Sequence, residues 1–389
     1  MGKVLKSLAA VGPLACLGLA APAPADDFYT ASPEELRGPP GSLIRVEGLQ
    51  IALTDAHVYR ILYRSTGLDG ATIPVSGMVI VPYADPPAGG WPVIAWAHPT
   101  TGIAQHCAPT VLFKDPVAVI PGINEMLARG FVIVATDYPG LGTVGPHPYL
   151  VGISEGRAVL DSVRAARELR ESRAGDRFVV WGHSQGGQAA LFAGELAASY
   201  APELKLLGVA AAAPATDLTE LFNDDLGELA GRILGAMVLD SWSQVFKAPM
   251  EPYVDAAELP DLKAIGENCI DLPHGIIDDL LDNKALPRRI MRVDPTDHEP
   301  WKSLAAENSP GKARAGAPLF IAQGMGDTTV DPQVTIAFVK RQCEAGETVK
   351  LAEYPGLTHL EIAKASAGAA VPWMSGRFEG KPAPSTGGG

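Results

Sequence analysis

The sequence predicts an α/β protein: one mostly parallel sheet flanked by helices, interrupted by a helical insertion. Three observations carry this expectation. Apolar β-rich runs alternate with helical runs from 91 to 215, the order of a parallel sheet with crossover helices. A G-x-S-x-G turn joins one of those strands directly to a helix. Strand signals then vanish from 216 to 315 and resume over 316–380.

The first 25 residues read as a secretory signal. Lys3 and Lys6 precede an apolar run over 8–20, too short to span a membrane, and Ala23-Pro24-Ala25 offers small residues for cleavage. Cleavage near Ala25 predicts a secreted protein, extracellular or periplasmic, beginning at Asp26. Cys16 invites a lipoprotein reading, but Pro13-Leu14-Ala15 is a poor match to the lipid-attachment motif.

Residues 26–43 are rich in Pro, Gly and polar side chains and are expected to wrap the surface as an extended arm. VYRILYRSTG, IPVSGMVIVP and WPVIAWAH follow as three β-runs joined without helices, which suggests an antiparallel start to the sheet. A helix over 123–129, the strand FVIVATDYPG and a long helix over 154–170 come next. Val159, Val163, Ala166 and Leu169 give that helix a buried face, and Ser154 with Glu155 marks its start. The strand before Ser184, its helix and the strand LLGVAAAAPA complete the core's first part, residues 26–215.

Residues 216–315 read as a helical cap. Leu226, Leu229, Ile233 and Met237 mark one amphipathic helix, and Ile276, Ile277, Leu280 and Leu281 another. The core's second part holds the strand PLFIAQ, a helix over 332–345, the strand VKLAEY and a last helix over 360–374. The tail, 381–389, is low-complexity and expected to be disordered.

Of 389 residues, 47% are hydrophobic and 19% charged, enough apolar content for a sizeable core. The net charge of −13 argues against a nucleic-acid partner, which needs basic patches. It also disfavours anionic membranes, leaving adsorption to a neutral lipid interface open. No transmembrane segment is expected after the signal. Cys107, Cys269 and Cys343 remain in the mature chain, enough for one disulfide and one free thiol. They lack the C-x-x-C or His spacing of a metal site.

The chemistry centres on Ser184, between Gly182 and Gly186. Glycines on either side permit a sharp turn, which would expose the hydroxyl at a helix N-terminus. A serine hydroxyl needs a base, and the base needs an orienting group. Three histidines follow Ser184: His274 and His298 in the cap, and His359 after a strand and the turn Tyr354-Pro355-Gly356. His359 is the expected base. Asp327, after PLFIAQ and with glycines at 324 and 326 loosening the backbone, is the expected acid. Asp331 competes, although Asp before Pro332 is explained by helix capping. Asp137 precedes the serine and reads as a structural carboxylate, and His183 as a packing or hydrogen-bonding residue.

An oxyanion needs N–H donors. One is expected from Gln185, directly after the serine. The other is expected from the loop His98-Pro99-Thr100, where Pro99 has no N–H and Thr100 is the candidate. PGLGTVGPHPYL reads as a structured loop without the order of a nucleotide site.

AWAHPTTGIAQHCAPT, ATDYPGLGTVGPHPYLVGISEGRAVLDSVRAAREL and GHSQGGQAALFAGE, in this order, resemble the secretory lipase family of α/β-hydrolases, most closely its bacterial branch. The resemblance covers about residues 44–382. It implies an α/β-hydrolase fold with an inserted helical cap, and a secreted lipase or carboxylesterase with Ser184, Asp327 and His359 at the triad positions. Many relatives carry glycine where this chain has Pro99. Relatives often end with a cysteine absent here, so the comparison leaves Cys343 unpartnered and implies a Cys107–Cys269 disulfide.

The expected reaction is hydrolysis of a small-molecule or lipid carboxylic ester, such as an acylglycerol, with no metal or organic cofactor. A serine peptidase or an acyltransferase would use the same triad. A non-catalytic binding protein on a hydrolase scaffold is the alternative from another class.

Overall fold

The computed structural model describes residues 27–51, 53, 55–225, 229–270, 291 and 293–386. The expected signal peptide, Leu226, His274, the expected helix at Ile276–Leu281 and residues 387–389 lie outside them. The strands are β1 (Leu43–Leu49), β2 (Ala56–Thr66), β3 (Thr72–Pro82), β4 (Trp91–Ala97), β5 (Val132–Thr136), β6 (Ala174–His183), β7 (Lys205–Ala212), β8 (Leu319–Gly324) and β9 (Val349–Tyr354). The α-helices are α1 (Pro109–Leu112), α2 (Ile123–Ala128), α3 (Gly152–Glu168), α4 (Gln185–Tyr200), α5 (Leu218–Asp225), α6 (Leu229–Val245), α7 (Leu259–Glu267), α8 (Trp301–Glu307), α9 (Pro332–Glu344) and α10 (His359–Phe378).

One sheet holds all nine strands in the order β1-β2-β3-β5-β4-β6-β7-β8-β9. The first three pair antiparallel, and β3 meets β5 antiparallel; from β5 through β4 to β9 every pairing is parallel. The central strands read as unbroken apolar runs because helices cover both faces. Ile94 and Trp96 pack with Trp181, Val371 and Met374 on one side, whereas Val93 and Ala95 meet Phe178, Val159 and Ala189 on the other.

Several local expectations change. The run WPVIAWAH, expected in the antiparallel start, is β4 and pairs parallel with β5 and β6. β1 has no counterpart in the sequence reading, which extends the arm to residue 43. It pairs with β2 alone and has no buried residue, so its alternation is weak. Helix α3 begins at Gly152, ahead of Ser154, and Val151 at its N-cap offers no side-chain cap. Ser154 Oγ is buried with no hydrogen-bond partner among the described residues. Glu155 instead reaches back, accepting from Leu150 N at 2.9 Å.

Between β7 and β8 the described residues form helices α5 to α8, with no strand and an isolated bridge between Val254 and Met291. Ile233 and Met237 of α6 are buried, as their spacing predicts. The Cys107–Cys269 disulfide ties this segment to the loop after β4, and Ile270 N donates to Thr101 O at 2.9 Å beside it. Among the described residues Cys343 is the free thiol.

The tail, expected to be disordered, is instead placed through residue 386. Thr386 N donates to Val349 O at 2.8 Å, and Leu351 N donates to Thr386 Oγ1 at 2.6 Å. β9 ends the sheet, so its outer edge offers the unpaired backbone groups that the tail satisfies.

The disulfide closes a long loop and restricts the unfolded chain. Replacing Cys107 and Cys269 together by serine is expected to lower stability by about 2–5 kcal/mol. The measurement is the urea unfolding midpoint, with Cys343→Ser as a control that moves little.

Candidate active site

The serine sits on a strained turn. β6 ends at His183, α4 begins at Gln185, and Ser184 between them has φ 56° and ψ −118°. A side chain seldom tolerates such a backbone unless its surroundings enforce it. Here Ser184 N donates to Ala212 O of β7 at 3.0 Å, and Gln188 N closes the first helical turn on Ser184 O at 3.0 Å. The flanking glycines serve close approach more than flexibility, since neither has a positive φ. A Cβ on Gly182 would lie 2.0 Å from Gly186 O, and one on Gly186 would lie 1.9 Å from Ala97 O. The strain resides in the serine itself.

His359 opens α10, one residue ahead of the expected helix start. Thr358 and Glu361 form a reciprocal capping box there, with Thr358 N donating to Glu361 Oε2 at 2.9 Å. Asp327 lies in the turn after β8. Its Oδ1 accepts from Thr329 N at 2.8 Å and Val330 N at 2.9 Å, which leaves Oδ2 facing His359. Close backbone approach brings the two turns together: a Cβ on Gly324 would fall 2.4 Å from Leu357 O.

Two hydrogen bonds link the three side chains. His359 Nδ1 is 2.8 Å from Asp327 Oδ2, and His359 Nε2 is 2.8 Å from Ser184 Oγ. With Nδ1–H donating to the carboxylate, Nε2 is free to accept from the serine hydroxyl. Burial alone would raise the Asp327 carboxyl, but the hydrogen bond and charge of His359, with the Val330 and Thr329 amides, hold it below the usual range. Ser184 is only 8% exposed, in contrast to the open hydroxyl expected from the turn. Residues of α6 line the clefts beside it.

The competing residues take other places. Asp331 caps α9, accepting from Gln333 N at 2.6 Å. Asp137 accepts from Ser76 Oγ at 2.6 Å and from Thr110 Oγ1 at 2.5 Å, and burial pushes it up to about 6. His183 Nε2 donates to the His359 carbonyl at 2.9 Å, bracing His359 through its backbone. Burial pushes that imidazole down to about 3, so it stays neutral. His298 is exposed ahead of α8. His106 lies beside Cys107 and Cys269, but the disulfide removes both sulfurs as thiolate ligands.

Gln185 is the first residue of α4, and Thr100 lies in the loop after β4 with Oγ1 2.8 Å from Tyr149 OH. Two clefts meet at Ser184, sharing Leu234 and Thr329. The smaller is lined by Gln185 and by apolar Leu218, Leu221, Phe222 and Val238. The larger passes Thr100, Ile233, Ile270 and His359.

Sequence reasoning missed Tyr149, His147 and the side chains of Glu155 and Gln185. Gln185 Nε2 reaches Glu155 Oε1 at 2.7 Å and His147 Nε2 at 3.0 Å. A signal was present: Glu155 lies four residues before Val159, on the buried stripe of α3, where an acid is out of place.

A family model described as "Secretory lipase" matches residues 118–386, more than half of the chain. A protein of Mycobacterium tuberculosis (strain CDC 1551 / Oshkosh) named "Probable inactive lipase" is 23% identical, over 92% of this chain and 83% of that one. Lipase 1 of Candida albicans is 25% identical, over 92% of this chain and 81% of its own length. Among solved structures, Candida antarctica lipase A in its closed state superposes with a TM-score of 0.77 at 22% identity, covering 95% of this chain and 90% of that one. The fold is that of the α/β-hydrolases.

The elbow geometry makes a direct demand on Gly186. Gly186→Ala is expected to displace the turn against the Ala97 carbonyl, lowering the melting temperature and slowing modification of Ser184 by a fluorophosphonate at least tenfold, about 1.4 kcal/mol or more. Parent-like melting and labelling would contradict the close-approach argument.

Proposed function

We propose that this chain, which belongs to the secretory lipase family, is a secreted serine hydrolase cleaving carboxylic esters through Ser184, His359 and Asp327. The observation that carries the reading is the pair of 2.8 Å contacts linking the three side chains through one imidazole. His359 Nε2 takes the hydroxyl proton as Ser184 Oγ attacks the ester carbonyl. The new imidazolium is stabilised by Asp327, which stays ionised. The Gln185 and Thr100 N–H groups receive the oxyanion. His359 then protonates the departing alcohol, and a water molecule repeats the sequence on the acyl-enzyme. The side chains present require no metal for any of these steps.

Apolar walls around the smaller cleft favour an ester with an apolar acyl part, such as an acylglycerol. The helices between β7 and β8 act as a cap over Ser184, and the first 25 residues act as the export signal. The inactivity in the name of the mycobacterial relative is a statement about that protein. In this chain His359 lies within hydrogen-bond distance of both Ser184 and Asp327, which favours a catalyst over a binding scaffold.

Ser184→Ala is expected to lower kcat/KM on short p-nitrophenyl esters by on the order of ten-thousandfold with folding intact. Asp327→Asn should lose a comparable factor, because the amide stabilises the wrong imidazole tautomer. Residual activity of more than a few per cent in Ser184→Ala would remove the assignment. Faster cleavage of aminoacyl-amides than of esters would move it to the peptidase alternative.

A further inference from the structure

One acid on the buried face of α3 has no part in the reaction just described. Glu155 is fully buried, with Val159 and Val163 on the same helical face. Its Oε1 accepts from Gln185 Nε2 at 2.7 Å and from Leu150 N at 2.9 Å. The other Gln185 amide hydrogen points to His147 Nε2 at 3.0 Å. That nitrogen is an acceptor, because His147 Nδ1–H donates to Pro139 O at 2.8 Å. Glu155 Oε2 has no hydrogen-bond partner among the described residues, and no lysine or arginine there pairs with the carboxyl. The Gln185 side chain is thus clamped at the point where its backbone starts α4 beside Ser184.

Resting on the serine-hydrolase reading above, we propose that Glu155 is a positioning residue for the oxyanion donor. Through the Gln185 side chain it fixes the Gln185 N–H at the elbow, and it supports turnover only as the neutral acid. Burial without a counter-charge pushes its carboxyl up to about 8, and the Gln185 and Leu150 hydrogen bonds recover only part of that shift. The groups facing it supply no positive charge. His147 stays neutral because burial pushes it down to about 3, and Tyr138 and Tyr149 are phenols raised by their own burial. Ionised, Glu155 would set a negative charge one side chain behind the developing oxyanion, where water does not screen it.

The ionisation also enters stability. Unfolded, the carboxyl ionises near 4.5, so the folded state binds the extra proton and stability falls as pH rises from there to about 8, with no further loss above.

The test measures kcat and KM on p-nitrophenyl butyrate from about pH 6 to about pH 10 for the parent, Glu155→Gln and Glu155→Ala. Parent kcat is expected to fall about tenfold per pH unit above the Glu155 transition, with KM little changed. Glu155→Gln, which keeps the carbonyl acceptor and cannot ionise, should retain neutral-pH turnover and lack that fall. Glu155→Ala should lose kcat at least tenfold at constant KM. The same alkaline fall in parent and Glu155→Gln, or equal loss in both variants, overturns the proposal. Thermal unfolding of parent and Glu155→Gln at acid and alkaline pH reads the ionisation without catalysis. The parent midpoint should drop further than the variant's, and equal drops overturn the neutral-acid state even if the hydrolase reading fails.

Discussion

The positive φ of Ser184 is the constraint on which the rest of the structure depends. A side chain held there costs on the order of 1–3 kcal/mol, and such a conformation persists only where surrounding structure over-determines it. The surroundings are specific. β7 supplies the Ala212 carbonyl to the Ser184 amide, and Ala97 at the end of β4 crowds Gly186 from the other side. These two neighbours of β6 in the sheet grip the elbow between them. A parallel sheet that sets β4 and β7 on either side of β6 is therefore a requirement of the turn, not a backdrop to it.

The same edge brings His359 and Asp327 to the serine. Asp327 follows β8 and His359 follows β9, both at strand ends on the side where β6 delivers the elbow. Their turns press together at Gly324 and Leu357. The capping box of α10 and the His183 contact to the His359 carbonyl then orient the imidazole from its backbone. Each device fixes main chain first, so that the side chains have little freedom left to lose.

The helical segment is joined to this edge by polar and covalent links. The Cys107–Cys269 bond and the Ile270–Thr101 hydrogen bond hold it against the Thr100 loop. Ser241 Oγ accepts from Tyr149 N at 3.0 Å and donates to His147 O at 2.7 Å, while Trp242 Nε1 donates to Tyr149 O at 2.9 Å. Residues 147–149 thus connect α6 to Thr100 through the Tyr149 hydroxyl, and to Gln185 through His147. The loop that reads in sequence as mere structure is the junction between the helical segment and both expected oxyanion donors.

What the sequence by itself determined is what depends on local pattern and chain order. The central strands are apolar throughout because both faces are buried, and G-x-S-x-G at a strand–helix junction needs no distant partner to be recognised. The order Ser184, Asp327, His359 could be read because each residue follows within a few positions of a recognisable strand. Tertiary structure alone decided the rest. β1 takes its form from pairing with β2, and the tail from the open edge of β9, so neither has a strong period of its own. The roles of Gly186 and Gly324 follow from carbonyls that come from distant parts of the chain. Glu155 shows the difference most plainly: its residue type and helical position were legible, but the partners of a buried carboxyl are set by which segments fold around it.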